Sequence, residues 1–409
     1  MKTLKTVLLG SAGAAMLFAA GTVAQAADAP KAAVKGKEPV WRCDTAGFIE
    51  YPGSDLCFKI GGHVKAWMGG ADRKATDGEG VNPYQIRDPG DPDEDRFWMG
   101  ALGRFNIDIR NATEFGVVRA FMEFEAGDTN SSTGGPANLR HAFIQIGNWL
   151  MGKTWSTFRS SAGTPEVFVD AFGAPGDQAV VRVVQLRYTF KAGNGVTVNV
   201  AIEDPAFFRN AYAGTGHISD SSNQLPDFVA NIQVAGSWGK AQASVAVHQH
   251  AGTGFLAPSV NRRPVGWAAL LGIALNVPGT MGDVIYLEGT YADGHMGAID
   301  TGAARSISDV AAGGTERISG WALVGGWEHY WSETLRSTLA ASHVRNDYHA
   351  DFHVAGTEIA RATSVWGNLV WTLVKGLDVG VEVIWVRNEL TSGAKASGVG
   401  AAAQAHRQF

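Results

Sequence analysis

The chain has 409 residues, with 34 basic against 39 acidic side chains, 52 glycines and 13 tryptophans, and a mean hydropathy of −0.04. An acidic balance with no basic tract excludes a nucleic-acid partner. Beyond the first residues no apolar run reaches membrane-helix length, which excludes a helical membrane protein but not one whose strands alternate apolar and polar residues.

In chain order, Lys2 and Lys5 precede a mostly apolar run, Thr6 to Val23, and the small-residue triplet Ala24-Gln25-Ala26. These residues read as a secretory signal peptide, 1–26, cleaved after Ala26. Cleavage leaves 32 basic residues against 39 acidic ones, a net charge of −7. Residues 27–57 follow as an Ala/Lys/Pro-rich periplasmic lead-in ending in a Gly/Pro-punctuated turn between Cys43 and Cys57, the only two cysteines. In an oxidising compartment these two are expected to form a small-loop disulfide worth about 3 kcal/mol in the chain-entropy model. A cysteine metal site is set aside because no histidine stands at finger spacing.

From residue 58 onward the pattern has period two. In the first strand Phe58, Ile60, Gly62, Val64, Ala66 and Met68 share one face, and Lys59, His63, Lys65 and Trp67 the other. The next segment alternates from Arg96 to Arg110, far longer than the ~5–6 residues of a typical globular strand and long enough for a membrane strand of about 9–11. Similar segments recur at 114–126, 138–147, 149–157, 181–191, 195–203, 226–238, 240–250, 265–277, 283–292, 318–330, 334–346, 361–374, 377–389 and 398–409, making sixteen in all. Their connections alternate between short turns (at Gly147-Asn148, Gly239 and Lys375-Gly376, for example) and long loops, including 390–397. Sorting short turns to one side and long loops to the other is the habit of a membrane barrel. Tryptophans such as Trp267, Trp321, Trp331, Trp371 and Trp385 lie near strand ends, where interfacial girdles form. An Arg facing lipid at mid-membrane costs about 2–4 kcal/mol, so Arg104, Arg119, Arg187 and Glu382 are expected to face the lumen.

One stretch breaks the alternation. Between about 158 and 180 lie three acids, Glu166, Asp170 and Asp177, against a single base, Arg159. A long irregular insertion between regular elements is usually functional. Ahead of it, Gly147 to Thr154 matches the phosphate-loop letters G-x-x-x-x-G-K-T, but no strand–loop–helix context follows, so the match is read as coincidence on a strand. The acidic run 88–95 fails the EF-hand spacing and reads as a solvated loop. His248 with His250, and His349 with His353, lack a third ligand and read as lumen or loop histidines; no metal and no cofactor is expected.

The stretch CDTAGFIEYPGSDLCFKIGGHVKAW, with Cys43-Asp44, Gly47, Pro52-Gly53, Cys57 and Gly61-Gly62-x-Val64 opening a strand, resembles the porin family of alphaproteobacterial outer membranes. With the GKTWSTF step and the terminal Phe409, the resemblance extends over the whole mature chain. It implies a homotrimer of sixteen-stranded barrels whose third outer loop, about 158–180 here, folds into the pore as a constriction, with Glu166, Asp170 and Asp177 facing wall bases such as Lys65, Arg104, Arg119 and Arg187. The sequence-level reading is therefore an all-β, sixteen-stranded antiparallel transmembrane barrel over 58–409, a non-enzymatic, water-filled channel in the outer membrane. It would pass small hydrophilic solutes and ions, with outer-membrane lipids and lipopolysaccharide around it. The competing readings are a substrate-selective sugar or anion channel and, further off, a barrel-embedded lipid hydrolase.

Overall fold

A computed structural model of the chain describes residues 43, 47–75, 97–129, 137–169, 182–205, 225–249, 265–299, 317–348 and 359–409. All belong to the unit Cys43–Phe409. The signal peptide and most of the lead-in, the acidic run 88–95, and Asp170, Asp177, His250, His349 and His353 lie outside the described residues.

Sixteen long strands follow one another: β1 (Cys57–Ala75), β2 (Phe97–Thr113), β3 (Gly116–Thr129), β4 (Asn138–Ile146), β5 (Trp149–Trp155), β6 (Arg182–Gly193), β7 (Val196–Glu203), β8 (Asp227–Gly236), β9 (Gly239–Gln249), β10 (Val265–Asn276), β11 (Val284–Asp293), β12 (Ser319–Tyr330), β13 (Leu335–Asp347), β14 (Ile359–Val374), β15 (Leu377–Leu390) and β16 (Lys395–Gln408). Each pairs antiparallel with its sequence neighbours, and β16 closes the sheet by pairing Ala396–Gln408 with His63–Ala75 of β1. Phe409 extends that seam by exchanging two backbone hydrogen bonds with Gly62. A two-residue strand, Ile49–Glu50, adds a short pairing with Cys57 and Phe58, next to the Cys43–Cys57 disulfide. Closure leaves no unpaired edge, the condition for strands to cross lipid.

The expected facing holds along the strands. Outward positions are apolar and exposed, as at Met68, Phe105, Ile232, Leu339 and Val381, while inward positions carry Glu123, Asn199, Ser244, Thr338 and Glu382, all buried. Exposed apolar residues outside and buried polar ones inside invert the order of a soluble protein, as a lipid surround requires. Tight turns join β2–β3, β4–β5, β6–β7, β8–β9, β12–β13 and β14–β15 at one end. At that end Asp283, in the β10–β11 turn, accepts hydrogen bonds from Trp327 Nε1 (3.1 Å), Tyr330 N (3.1 Å) and His329 Nδ1 (2.7 Å). Desolvation pulls the Asp283 carboxyl upward, but these bonds outweigh it and hold the group below its usual value. The last connection on the other side departs from the sequence expectation: β15 and β16 extend toward each other and leave only residues 391–394 between them.

A second departure concerns the lumen wall. It was expected to be lined by alternating polar residues, yet β10 buries Ala268 and Leu270 on its inner face. The chain after β11 supplies the reason. Its short helical turn Met296–Ala298 is buried and packs with Phe158, Ile299, Ile318 and Val344 over that face. Beside this apolar patch His295 stacks on His248 at 5.1 Å, and His248 Nδ1 lies 2.6 Å from Asp227 Oδ1.

Candidate functional site

Between β5 and β6 the described part of the long insertion, residues 156–169, leaves the wall and runs along the inward-facing side chains of β7 to β16. At its start the carboxylate of Glu203, 1 % exposed, accepts hydrogen bonds from Ser156 Oγ (2.7 Å) and Thr157 N (2.6 Å). Asn231 donates to Thr157 O (2.5 Å). Gln242 accepts from Ser161 N (2.8 Å) and donates to Arg159 O (2.8 Å). Midway, Gly272 and Gly326 leave room for Ser160 and Pro165 against the wall, space that a Cβ at either position would fill.

The far end is anchored on the other side of the barrel. Arg336 of β13 forks onto Glu166 with bonds of 3.0 and 2.9 Å and reaches Asp378 at 3.1 Å. Trp366 and Asn368 both donate to Glu166 O at 3.1 Å. Glu382, also 1 % exposed, accepts from Phe168 N (2.7 Å), and Gln404 donates to Phe168 O (2.5 Å). A buried carboxylate that accepts backbone N–H bonds is a strong, directional clamp. Two such clamps, on β7 and β15, fix the two ends of one segment.

The wall formed by β2 to β4 carries four arginines paired with acids of the same wall. Arg104 donates to Glu125 (2.7 Å), Arg110 and Arg119 both bond Asp108 (2.7 and 2.9 Å), and Arg140 bridges Glu123 (3.0 Å) and Glu125 (2.7 Å). Arg140 reaches them because the β3–β4 register skips it: Glu123 pairs with His141 and Phe124 with Leu139. The extra residue turns inward beside His141, as a bulge re-aims side chains. Where β5 ends and β6 begins, two guanidiniums pack on the Trp155 ring, Arg182 at 3.5 Å and Arg159 at 4.2 Å from its centroid. Neither makes an ion pair with a described residue.

Of the residues singled out from sequence, Glu166 pairs with Arg336, which sequence reasoning did not name. Its only signal was a position on the same alternating face of β13 as Thr338, Ser342 and Asn346. Arg104 and Arg119 face inward but are engaged by wall acids; Arg187 is inward and half-buried; Lys65 is inward on β1. The phosphate-loop lookalike lies on the β4–β5 hairpin. There Gly152 has φ 129° and sits so near the Ala142 carbonyl oxygen that a Cβ would collide with it; the glycine answers to packing. Among the described residues no cluster of three His, Cys, Asp or Glu side chains is placed to hold a metal ion.

Comparison with known proteins gives three results. A family model described as the porin subfamily matches residues 31–408. Porin Omp2b of Brucella melitensis biotype 1 is 27 % identical over 402 residues, covering 94 % of this chain and 92 % of that one. Among solved structures, the outer membrane channel DcaP of Acinetobacter baumannii superposes with a TM-score of 0.69 at 21 % identity, over 87 % of this chain and 97 % of that one. An anion-selective porin from Comamonas acidovorans gives 0.51 at 11 % identity, over 87 % of this chain and all of the other.

Proposed function

Since the chain belongs to the porin subfamily and forms a diffusion channel of the outer membrane, we propose that its passage runs between the clamped segment 156–169 and the arginine-bearing wall. The carrying observation is the double clamp by Glu203 and Glu382, which holds the segment against half of the inner wall. On this reading the constriction loop spans about 158–180. Glu166, with Asp170 and Asp177 as further acids, faces Lys65, Arg104, Arg119 and Arg187 across water. Solutes cross passively, down their gradients, and rings of opposite charge at the narrowest point tune selectivity. The chain has transport work and no catalytic step.

The same reading includes a signal peptide at 1–26, a periplasmic lead-in at 27–57, a barrel at 58–409, a homotrimer, and contact with outer-membrane lipids and lipopolysaccharide. Planar-bilayer recording tests it. Purified protein should give discrete, ohmic conductance steps, and neutralising Glu166 together with Asp177 should move the reversal potential in a salt gradient toward anions. Absence of conductance steps would overturn the channel reading; an unchanged reversal potential would overturn the constriction assignment alone.

A further inference from the structure

On the lipid-facing side, three successive strands change from apolar to cationic at one height. Outward residues on β13 pass from Leu339 and Ala341 to His343 and Arg345; on β14, from Leu369 and Val365 to Arg361; on β15, from Val383 and Trp385 to Arg387. The strand register lines these positions up. Arg345 lies opposite Arg361, Arg361 opposite Glu389, and Arg387 opposite Thr363. The three guanidiniums therefore occupy two adjacent rows at the loop side of the barrel.

Their height follows from strand geometry. Trp371, in the turn-side aromatic row, is ten residues from Arg361 on β14. At about 3.3 Å per residue and a tilt of about 45°, the two stand about 23 Å apart in height, close to the ~25 Å apolar band of such barrels. The arginines thus sit at the headgroup level, where a lipid-facing cation costs about 0–1 kcal/mol instead of ~2–4 at the midplane.

The patch carries an excess of positive charge. Asp347 meets Arg345 at 2.8 Å and Glu389 meets Arg361 at 3.1 Å, with Lys395 at 3.8 Å from Glu389. Among the described residues Arg345, Arg361, Arg387 and Lys395 thus stand against two acids. Among the described residues Arg387 makes no ion pair, and it is exposed. The side chains of Arg345 and Arg361 are each 46 % exposed. The short connection 391–394 turns the chain back at once, with Leu390 N bonded to Ala394 O at 2.8 Å.

We propose that this patch is a docking site for the phosphate-bearing headgroup of lipopolysaccharide. The argument rests on the outer-membrane channel reading, which puts the loop side of the barrel in the leaflet where that glycolipid lies. Guanidinium forks match phosphate oxygens bidentately, and Arg387 is the exposed fork that no described acid engages. Trp385 and Val383, directly below it, meet the acyl chains.

The test compares full-length protein with the triple variant R345Q/R361Q/R387Q, both purified from outer membranes and stripped of lipid. Binding is measured to lipopolysaccharide and to the same glycolipid with its phosphates removed. At about fivefold per guanidinium, the triple variant should bind the phosphorylated form about 100-fold more weakly. Wild type and variant should bind the dephosphorylated form alike, and R387K, which keeps the charge but not the fork, should fall between wild type and R387Q. Single-channel conductance of the variant should equal wild type, which separates failure of this site from failure of the channel reading. Equal affinity of wild type and triple variant for the phosphorylated form would overturn the proposal. So would loss of subunit association with lipopolysaccharide binding unchanged, which would make the patch an interface between copies.

Discussion

Replacing Glu382 separates the two things its carboxylate does. In E382A, Phe168 N loses the acceptor it bonds at 2.7 Å, and Asn368 Nδ2 loses one of its two, at 3.1 Å, leaving one N–H of each unpaired in a site closed to solvent. A buried donor left unpaired costs about 1–3 kcal/mol, so two cost about 2–6. In E382Q the amide oxygen still accepts from Phe168 N, and only the charge is lost. The cost falls on the docked segment, not the barrel, because β15 keeps its full ladder to β14 and β16. Three contacts hold the loop end in either variant: the Arg336 fork, the two donors to Glu166 O, and Gln404 on Phe168 O. A loss of about 3 kcal/mol multiplies the undocked population by roughly 150. Single-channel recordings should therefore show frequent subconductance excursions in E382A and few in E382Q, with the heat-induced unfolding of both barrels in detergent near that of wild type. E382A traces as quiet as wild type, from a protein of wild-type heat stability, would refute the clamp.

Other consequences can be checked in the same preparations. Arg336→Gln leaves Glu166 and Asp378 uncompensated in the lumen and should shift the reversal potential toward cations, opposite in sign to Glu166→Gln. Leu339→Arg, at a position 63 % exposed toward lipid, should lower the free energy of unfolding from vesicles by about 2–4 kcal/mol. Replacing Cys43 and Cys57 by Ser opens a loop with sequence separation 14; it should cost about 3 kcal/mol locally, read as faster proteolysis of the 43–57 turn with the barrel intact. Because the folded value of Asp283 is lowered, its contribution is present above the unfolded value of 3.8 and is lost as pH falls through the folded one. Heat stability of wild type should accordingly drop more steeply than that of D283N below about pH 4.

The barrel was legible in the sequence because its rule is local. Each strand states its facing every second residue, so Met68 and Lys65, or Phe105 and Arg104, declare their sides without reference to the rest of the chain. The clamp was not legible. Glu203, Gln242 and Glu382 look like any polar lumen residue until closure of the sheet brings Glu382 to Phe168, 214 positions away. Arg140 was hidden for a different reason: a single skipped residue reverses its side, and nothing in the letters NLRHAFIQI marks the skip. The apolar inner face of β10 reads from sequence as an ambiguous hydrophobic run, because what covers it, Met296 and Ile299, arrives from a connection without a strand period.

The seam between β16 and β1 makes closure of the barrel an all-or-none property. Removing only the last strand would not yield a slightly weaker barrel. It would strip the partner from His63–Ala75 on one side and from Leu377–Glu389 on the other, exposing two rows of unpaired amides to hydrocarbon. With no water there to replace the lost partners, each open group costs several kcal/mol, and the sum exceeds any stability the remaining strands hold. A chain lacking β16 therefore cannot persist in the membrane as a monomeric open sheet; it must find another edge or be degraded. The first strand of the wall waits on the last one before either can face lipid.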